Sequence, residues 1–194
     1  MKEKEKARLG LLYNANYDKD LKDELIYCKK MCRKYNVLEP DDFENKNKII
    51  KNLFKSTGEN FYIEQPMHCD YGYNIEIGEN FYSNHNLVIL DGAKVKIGNY
   101  VFIGPDCGIY TAGHPTDVKQ RNEGLEYAYP ITIGDNVWIG GGVKIMPGVT
   151  IGDNTIIGSG SIVTKNIPSN VIAAGNPCKV IRDITDEDKD KYKR

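Results

Sequence analysis

A six-residue spacing of aliphatic side chains runs through the second half of the chain. The main row consists of Ile133, Ile139, Ile145, Ile151, Ile157 and Val163. A second row stands two residues earlier and consists of Ile131, Val137, Val143 and Val149. Glycine follows the main row directly at Gly134, Gly140, Gly152 and Gly158, and the same Ile-Gly pair occurs upstream at Ile77, Ile97 and Ile103.

This period fits neither the 3.6-residue repeat of an α-helix nor the two-residue repeat of a single strand. It suits a prism of short strands, in which an apolar side chain points to the axis and glycine tolerates the unusual φ and ψ of a tight corner. Stacked coils then bury one another's apolar faces. We therefore predict a mainly β fold, a parallel β-helix of hexapeptide repeats, in preference to a β-sandwich with chance alternation.

The repeat is interrupted once, between Ile109 and Ile131. The intervening residues contain two prolines and several charges and show no six-residue pattern. We interpret residues 110–130 as an extended loop that leaves the prism. Loops on rigid scaffolds often carry function, and this one contains His114.

The first part of the chain has a different composition, rich in Lys, Glu and Asp. A helical stripe runs through Leu21, Leu25, Cys28, Cys32 and Tyr35. Pro40 with the acids after it predicts the start of a second helix, which would stop at Gly58. Residues 1–57 are therefore predicted to form a helical cap, and residues 58–194 the β-helix with its C-terminal tail.

Charge and composition exclude several classes of protein. The 26 basic and 27 acidic residues nearly cancel, which argues against nucleic acid or a membrane as the main partner. The charged N-terminus is unlike a signal peptide, and no apolar run approaches the ~20 residues that cross a bilayer. We interpret the five cysteines as reduced thiols and expect a cytoplasmic protein.

Several short motifs occur in a fixed order along the chain. They are His68-Cys69-Asp70-Tyr71-Gly72, Asn80-Phe81-Tyr82-Ser83-Asn84, Thr111-Ala112-Gly113-His114-Pro115, Asp135-Asn136-Val137-Trp138-Ile139-Gly140 and Asn176-Pro177-Cys178. In these motifs and in the helical cap, the chain resembles the galactoside and maltose O-acetyltransferases over nearly its whole length. The resemblance implies a left-handed parallel β-helix and a homotrimer. It also implies active sites between neighbouring subunits, with acetyl-CoA in the groove between two prisms and no required metal.

The resemblance makes His114 the general base that draws the proton from an acceptor hydroxyl, a role suited to imidazole. Asn84 matches an asparagine that contacts the acceptor sugar and stabilises the tetrahedral intermediate, because an amide donates to developing negative charge. The competing interpretations are a solvated loop histidine and a corner amide. His68 and His85 either line the acceptor pocket or are structural or surface residues.

Three acidic positions bear on the acceptor. Asp70 lies where the family binds sugar hydroxyls, although galactoside enzymes have serine there. Asp91 matches the first of two consecutive acids and is expected to contact the substrate, and Gly92 replaces the second, which contacts the sugar. Glu126 replaces a methionine of the galactoside type, and we expect it to accept a hydrogen bond from the His114 ring, unless it is a solvated loop acid. These departures favour maltose or glucose over a galactoside.

Further contacts follow from the resemblance. Asn16, or else Asp18, falls near an acid of the family that reaches the sugar. Trp138 either forms a wall for acceptor or cofactor or packs between subunits. The CoA-binding residues would be Gly141, Ser159, Thr164, Lys165, Lys179 and Arg182. The three cations would meet the CoA phosphates, unless they form a solvated face.

The expected activity is direct transfer of acetyl from acetyl-CoA to a sugar hydroxyl, most simply the primary one at C6. Other acceptors stay open, namely a galactoside, a nucleotide sugar, an antibiotic or a serine. Two other kinds of function are possible on such a prism. One is a trimeric zinc carbonic anhydrase, which would need three converging histidines. The other is a β-helix that binds without catalysis.

Overall fold

The computed structural model describes residues 1–192. Three helices precede the first strand, namely α1 (Glu3–Arg8), α2 (Lys19–Asn36) and α3 (Phe43–Leu53). A short helix, α4 (Val118–Asn122), lies in the long loop, and a 3-10 helix (Asp186–Asp190) follows the last strand. None of these helices is long and apolar enough to span a membrane.

Short strands wind around a common axis and form three sheets, which we call faces A, B and C. Face A contains β1 (Phe61–Ile63), β4 (Phe81–Ser83), β7 (Phe102–Ile103), β12 (Trp138–Ile139), β15 (Ile156–Ile157), β17 (Val171–Ala174) and β18 (Lys179–Asp183). Face B contains β2 (Met67–Cys69), β5 (Leu87–Leu90), β8 (Gly108–Tyr110), β13 (Lys144–Ile145) and β16 (Ile162–Val163). Face C contains β3 (Ile75–Ile77), β6 (Val95–Ile97), β11 (Ile131–Ile133) and β14 (Thr150–Ile151). The pairs within each face are parallel except β17 with β18.

Both aliphatic rows of the repeat point into the prism. Ile139 lies opposite Ile103 and Ile157 in face A, and it is buried together with Val137. Residues two apart on a strand share a side, so each face supplies two inward side chains per coil. The second row continues as buried Thr155, whose hydroxyl donates to the Pro168 carbonyl at 2.9 Å. The predicted parallel β-helix with a helical cap is confirmed.

The reason for the glycines differs from the predicted one. Gly140 has an ordinary φ, but a Cβ there would lie 2.6 Å from the backbone nitrogen of Ser159 in the next coil. Glycine is therefore required because adjacent coils approach closely. The left-handed corner conformation falls elsewhere, at Asn136 (φ 57°) and Asn154 (φ 50°), because asparagine tolerates that region.

The cap covers the first coil with helix α2. Buried Cys28, Cys32 and Tyr35 of this helix join the core of the prism. The side chain of Asn36 donates to the Met67 carbonyl and accepts from the Met67 N–H, both at 2.9 Å, as a neighbouring strand would. The cap thus continues the core, and a domain boundary between residues 57 and 58 stays a prediction.

Helix limits in the cap differ slightly from those predicted. The side chain of Asp42 accepts from the N–H of Asn45 and caps α3, so Pro40 precedes this helix instead of starting it. Helix α3 ends at Leu53, before Gly58. Helix α1 has no counterpart among the predicted elements. Residues 193–194, the end of the predicted second domain, lie outside the described residues.

Candidate active site

The long loop leaves the prism at the edge between faces B and C, which we call the BC edge. It follows β8 and returns to β11, and its stem is an antiparallel pair of β9 (Ala112–Gly113) and β10 (Tyr127–Ala128). The Arg121 guanidinium donates to the carbonyls of Pro115 and Thr116 at 3.0 and 2.9 Å. The predicted loop is therefore a braced hairpin with a helix, α4, at its tip.

His114 follows β9 and is exposed in the single chain. Its Nδ1 lies 3.0 Å from the backbone carbonyl oxygen of Leu125. A carbonyl only accepts hydrogen bonds, so Nδ1 must carry the hydrogen and donate it. In the neutral ring Nε2 is then unprotonated, and it is the atom that can take a proton from a substrate.

The predicted hydrogen bond from His114 to Glu126 is not formed within residues 1–192. Leu125 takes the place of Glu126 as the acceptor, through its backbone. The Glu126 carboxylate instead accepts from the Tyr13 hydroxyl at 3.0 Å, and the two backbones exchange hydrogen bonds of 2.9 Å. Burial and the nearby carboxylate raise the pKa of Tyr13, so its hydroxyl remains a donor.

Asp91 is buried and holds the turn that carries Asp70. Its carboxylate accepts from the backbone N–H groups of Asp70, Tyr71 and Gly72 at 3.0, 2.9 and 2.7 Å. Because Asp91 has no exposed surface, the predicted direct contact with substrate is corrected to the positioning of this turn. Burial raises the pKa of Asp91 to about 6, although these three hydrogen bonds oppose the shift.

Asp70 is half-buried at the BC edge. Burial raises its pKa to about 6, and the negative charges of Asp91 and Glu126 add to the shift. The space beside Gly92 is filled by the cap, since a Cβ there would lie 2.8 Å from the Tyr13 hydroxyl. A tyrosine thus occupies the position where the resemblance places a second acid.

The two candidates in the cap have different environments. The Asp18 side chain accepts from the N–H of Leu21 at 2.9 Å and caps α2, so its carboxylate is already engaged. Asn16 is exposed, and its Nδ2 donates to the Gly124 carbonyl of the loop at 2.9 Å. This bond leaves the Oδ1 of Asn16 available to a ligand near the loop.

Asn84 does not lie beside His114. It follows β4 at the edge between faces A and B, which we call the AB edge, and its Oδ1 accepts from the N–H of His85 at 2.7 Å. A face of about six residues at ~3.3 Å per residue separates neighbouring edges by roughly 15–20 Å. The two residues therefore stand far apart in one chain, and the Nδ2 of Asn84 donates to no group within residues 1–192, which leaves it available to a ligand.

Two family models match the chain. The "bacterial transferase hexapeptide (six repeats)" matches residues 130–165, and the "maltose acetyltransferase hexapeptide capping motif" matches residues 6–58. The galactoside O-acetyltransferase of Escherichia coli is 46% identical over 188 residues, which are 97% of this chain and 92% of that protein. The chain belongs to the maltose and galactoside O-acetyltransferase family.

Solved structures of this acetyltransferase family agree with the fold. A maltose O-acetyltransferase from Clostridium difficile 630 has a TM-score of 0.94 at 52% identity, covering 96% of this chain and 99% of its own. A galactoside acetyltransferase in complex with coenzyme A has a TM-score of 0.95 at 46% identity, covering 100% and 96%. The chain is thus an acetyltransferase, and acetyl-CoA is its co-substrate.

The residues predicted to bind CoA lie in three places. Gly141 and Ser159 stack at the AB edge, where the N–H of Gly160 donates to the Gly141 carbonyl at 2.8 Å. Thr164 and Lys165 follow β16 at the BC edge and are exposed. Trp138, the predicted wall residue, is 55% exposed on face A.

The other two predicted cations are on β18. Lys179 is exposed, whereas Arg182 forms a forked pair with Asp188 at 2.5 and 2.8 Å. A CoA phosphate at Arg182 would have to displace that carboxylate. Lys165 and Lys179 are therefore the better candidates for phosphate contacts.

Tyr13 and the backbone of Leu125 contact Glu126 and His114 of the candidate site, yet neither was predicted from the sequence. Tyr13 stands in no motif, and its place depends on the cap folding over the loop. A carbonyl has no sequence signal, because every residue carries one.

Proposed function

We propose that this acetyltransferase transfers acetyl from acetyl-CoA to a hydroxyl of a sugar such as maltose or glucose, with His114 as the general base. The observation that carries the proposal is the hydrogen bond from Nδ1 to Leu125, which leaves Nε2 free to accept a proton. The bond also fixes the ring on a braced hairpin, as a catalytic base requires.

The proposed reaction is direct transfer without an acyl-enzyme. Nε2 of His114 removes the proton of the acceptor hydroxyl, in our proposal the one at C6, while its oxygen attacks the thioester carbonyl carbon. The resulting tetrahedral intermediate carries negative charge on the former carbonyl oxygen. It collapses by breaking the C–S bond, and the imidazolium returns its proton to the CoA sulfur.

The charge on the intermediate needs a donor, and we assign that role to Asn84 of a neighbouring subunit. The His85 N–H engages the Oδ1 of Asn84, so its Nδ2 is directed away from the backbone. Because His114 and Asn84 lie on different edges, one complete site takes the BC edge of one prism and the AB edge of the next. A homotrimer provides three such sites, with CoA between Gly141, Ser159 and the exposed lysines.

The acceptor pocket would be formed by Asp70, Glu126 and Asn16 around His114. Carboxylates accept hydrogen bonds from sugar hydroxyls, and both Asp70 and Glu126 differ from the residues that the resemblance gives for galactoside enzymes. Tyr13 beside Gly92 adds a rigid wall. This arrangement favours maltose or glucose, and a galactoside, a nucleotide sugar or an antibiotic is the alternative.

Release of free CoA thiol from acetyl-CoA with glucose, maltose and a galactoside tests the function. We expect turnover with glucose or maltose and a rate about 10²–10⁴-fold lower in His114→Ala. Lys119→Ala, an exposed residue on α4 of the same loop, is the matched control and should retain full activity. Equal rates in His114→Ala and the parent would rule out the assigned base.

Two further results would change the proposal. One acetyl group found by mass spectrometry on protein incubated with acetyl-CoA alone would contradict direct transfer. Turnover with none of the sugars, despite correct assembly, would favour another acceptor or a β-helix that only binds.

A further inference from the structure

Three of the five cysteines meet where the cap packs on the first coil. Cys28 and Cys32 lie one turn apart on α2, and Cys69 ends β2. The Sγ atom of Cys69 is 3.4 Å from that of Cys28 and 3.8 Å from that of Cys32. All three thiols are free and buried, and the three sulfur atoms lie within 4.8 Å of one another.

These separations match those of thiolates around one metal ion. A tetrahedral Zn²⁺ with Zn–S bonds of ~2.3 Å sets its sulfur atoms about 3.8 Å apart. The two separations that involve Cys69, 3.4 and 3.8 Å, are within a few tenths of an ångström of this value, and the separation between Cys28 and Cys32 is at most 4.8 Å. No other group of three metal-binding side chains of this kind occurs in residues 1–192.

The cluster also has an entry path and cations nearby. Cys32 and Cys69 line a surface cleft of about 420 Å³, together with Lys29, Arg33 and His68. An ordinary core thiol is enclosed by apolar side chains, whereas the Cys32 and Cys69 thiols lie beside the basic side chains of the cleft.

We propose that Cys28, Cys32 and Cys69 bind one Zn²⁺ ion per chain as thiolates, with a fourth position open to the cleft. Three thiolates and a divalent ion leave one net negative charge, and Asp70 lines the same cleft with a second; Lys29 and Arg33 offset these two charges. A monovalent ion would leave two negative charges in a buried place, which is costlier. Each thiol that is protonated in the free protein releases its proton on binding.

The site ties α2 to β2, one residue before Asp70. The proposed metal site is separate from the transfer chemistry, in which His114 acts without a metal. The proposal of this site does not depend on which acceptor the protein uses. Its effect is on the attachment of the cap, because a ligand that binds only the folded chain stabilises it.

Titration of reduced, metal-free protein with Co²⁺ tests the site, since cobalt thiolates absorb strongly in the near ultraviolet. We expect a band that saturates at one Co²⁺ per chain and disappears when Zn²⁺ is added. Cys32→Ser should lose the band, and Cys107→Ser should keep it. Cys107 is also buried, but its thiol contacts the Gly140 carbonyl inside the prism, away from the cluster.

A second measurement covers the case in which Cys32→Ser does not fold. Native mass spectrometry of the parent chain with Zn²⁺ should show one retained ion per chain, and its thermal midpoint should rise. The proposal is overturned if the reduced parent retains no ion, or if folded Cys32→Ser binds as well as the parent. A disulfide between Cys28 and Cys69 in protein kept without reductant, with no metal uptake by the reduced form, would also contradict it.

Discussion

At the scale of single residues, the site combines one oriented base with a group of carboxylates. The His114 ring is held by a backbone carbonyl, whereas Glu126 is held by the Tyr13 hydroxyl. The proposed base and the proposed acceptor-binding carboxylate are therefore held in place by different groups. Mutations at these positions should therefore affect different kinetic parameters.

Tyr13→Phe should raise the KM for the acceptor sugar and leave the KM for acetyl-CoA unchanged. Loss of one hydrogen bond to a charged group weakens binding by about 1.5–3 kcal/mol where the group positions the ligand. Tyr35→Phe is the matched control, since Tyr35 is equally buried and donates to the Ile63 carbonyl far from the loop. Steady-state kinetics on both variants measures the KM for the acceptor sugar. An equal rise in this KM in Tyr13→Phe and Tyr35→Phe would contradict the role of Tyr13.

Asp70 should make acceptor binding depend on pH. With its pKa raised to about 6, the carboxylate is charged above that pH and accepts strong hydrogen bonds from sugar hydroxyls. The KM for the acceptor should therefore rise, by about tenfold, as the pH falls through 6. In Asp70→Asn the KM should be high and nearly constant between pH 5 and 7. A parent-like pH profile in that variant would assign the titration to another group.

At this scale the sequence singles out residues that stand in motifs, whereas residues placed by tertiary contacts have no signal in the sequence. His114 was singled out by its motif in the loop. The acceptor of its Nδ1 hydrogen could not be predicted. Leu125 and Glu126 are adjacent in the sequence, and the fold of the hairpin decides whether the Leu125 carbonyl or the Glu126 carboxylate lies beside the ring. The pairing of Arg182 with Asp188 likewise depends on the tail folding back.

At the scale of elements, side chains at the corners connect one coil to the next. Asp91 accepts three backbone N–H groups of the preceding coil in a buried corner. Asp135 makes a similar bond of 2.7 Å to the N–H of Asn99, but at a corner that water reaches. The two aspartates therefore differ in burial and in the number of backbone N–H groups that they accept.

Asp91→Ala should lower the free energy of unfolding by about 3–5 kcal/mol, because it leaves three buried donors without an acceptor. Asp135→Ala should cost under about 1 kcal/mol, because water replaces the lost carboxylate. Urea denaturation of both variants measures the difference. Similar losses of unfolding free energy in the two variants would mean that the hydrogen bonds of Asp91 stabilise the fold no more than the exposed one of Asp135.

The six-residue repeat predicted the elements of the prism because its period is set by the fold itself. It also located the loop, since the loop is where the period stops. The repeat could not predict why glycine follows isoleucine, because the close approach of Gly140 to Ser159 involves the next coil. Helix α1 escaped prediction because its six residues, mostly charged, form no apolar stripe.

At the scale of the whole molecule, the positions of His114 and Asn84 on different edges matter most. Neither edge alone contains both the proposed base and the proposed donor to the intermediate. If sites form between subunits as proposed, activity requires assembly, and two differently defective chains can complement each other.

Mixing His114→Ala with Asn84→Ala after joint unfolding and refolding should restore activity. Each site then needs His114 from one type of chain and Asn84 from the other, so random assembly restores about a quarter of the parent activity. Separately refolded variants, which carry a defect at every site, are the control and should stay nearly inactive. No recovery in mixed assemblies of confirmed composition would place both residues in a single-chain site.

The two ends of the prism have a consequence for how the protein behaves at high concentration. Strand ends of a solenoid expose unpaired backbone groups that invite another copy to continue the stack. At one end the Asn36 side chain already occupies both groups of Met67, and at the other β18 runs antiparallel to β17 with every residue exposed. Because β18 is antiparallel, it does not continue the parallel stack of coils, and we expect the two features together to oppose head-to-tail growth into filaments.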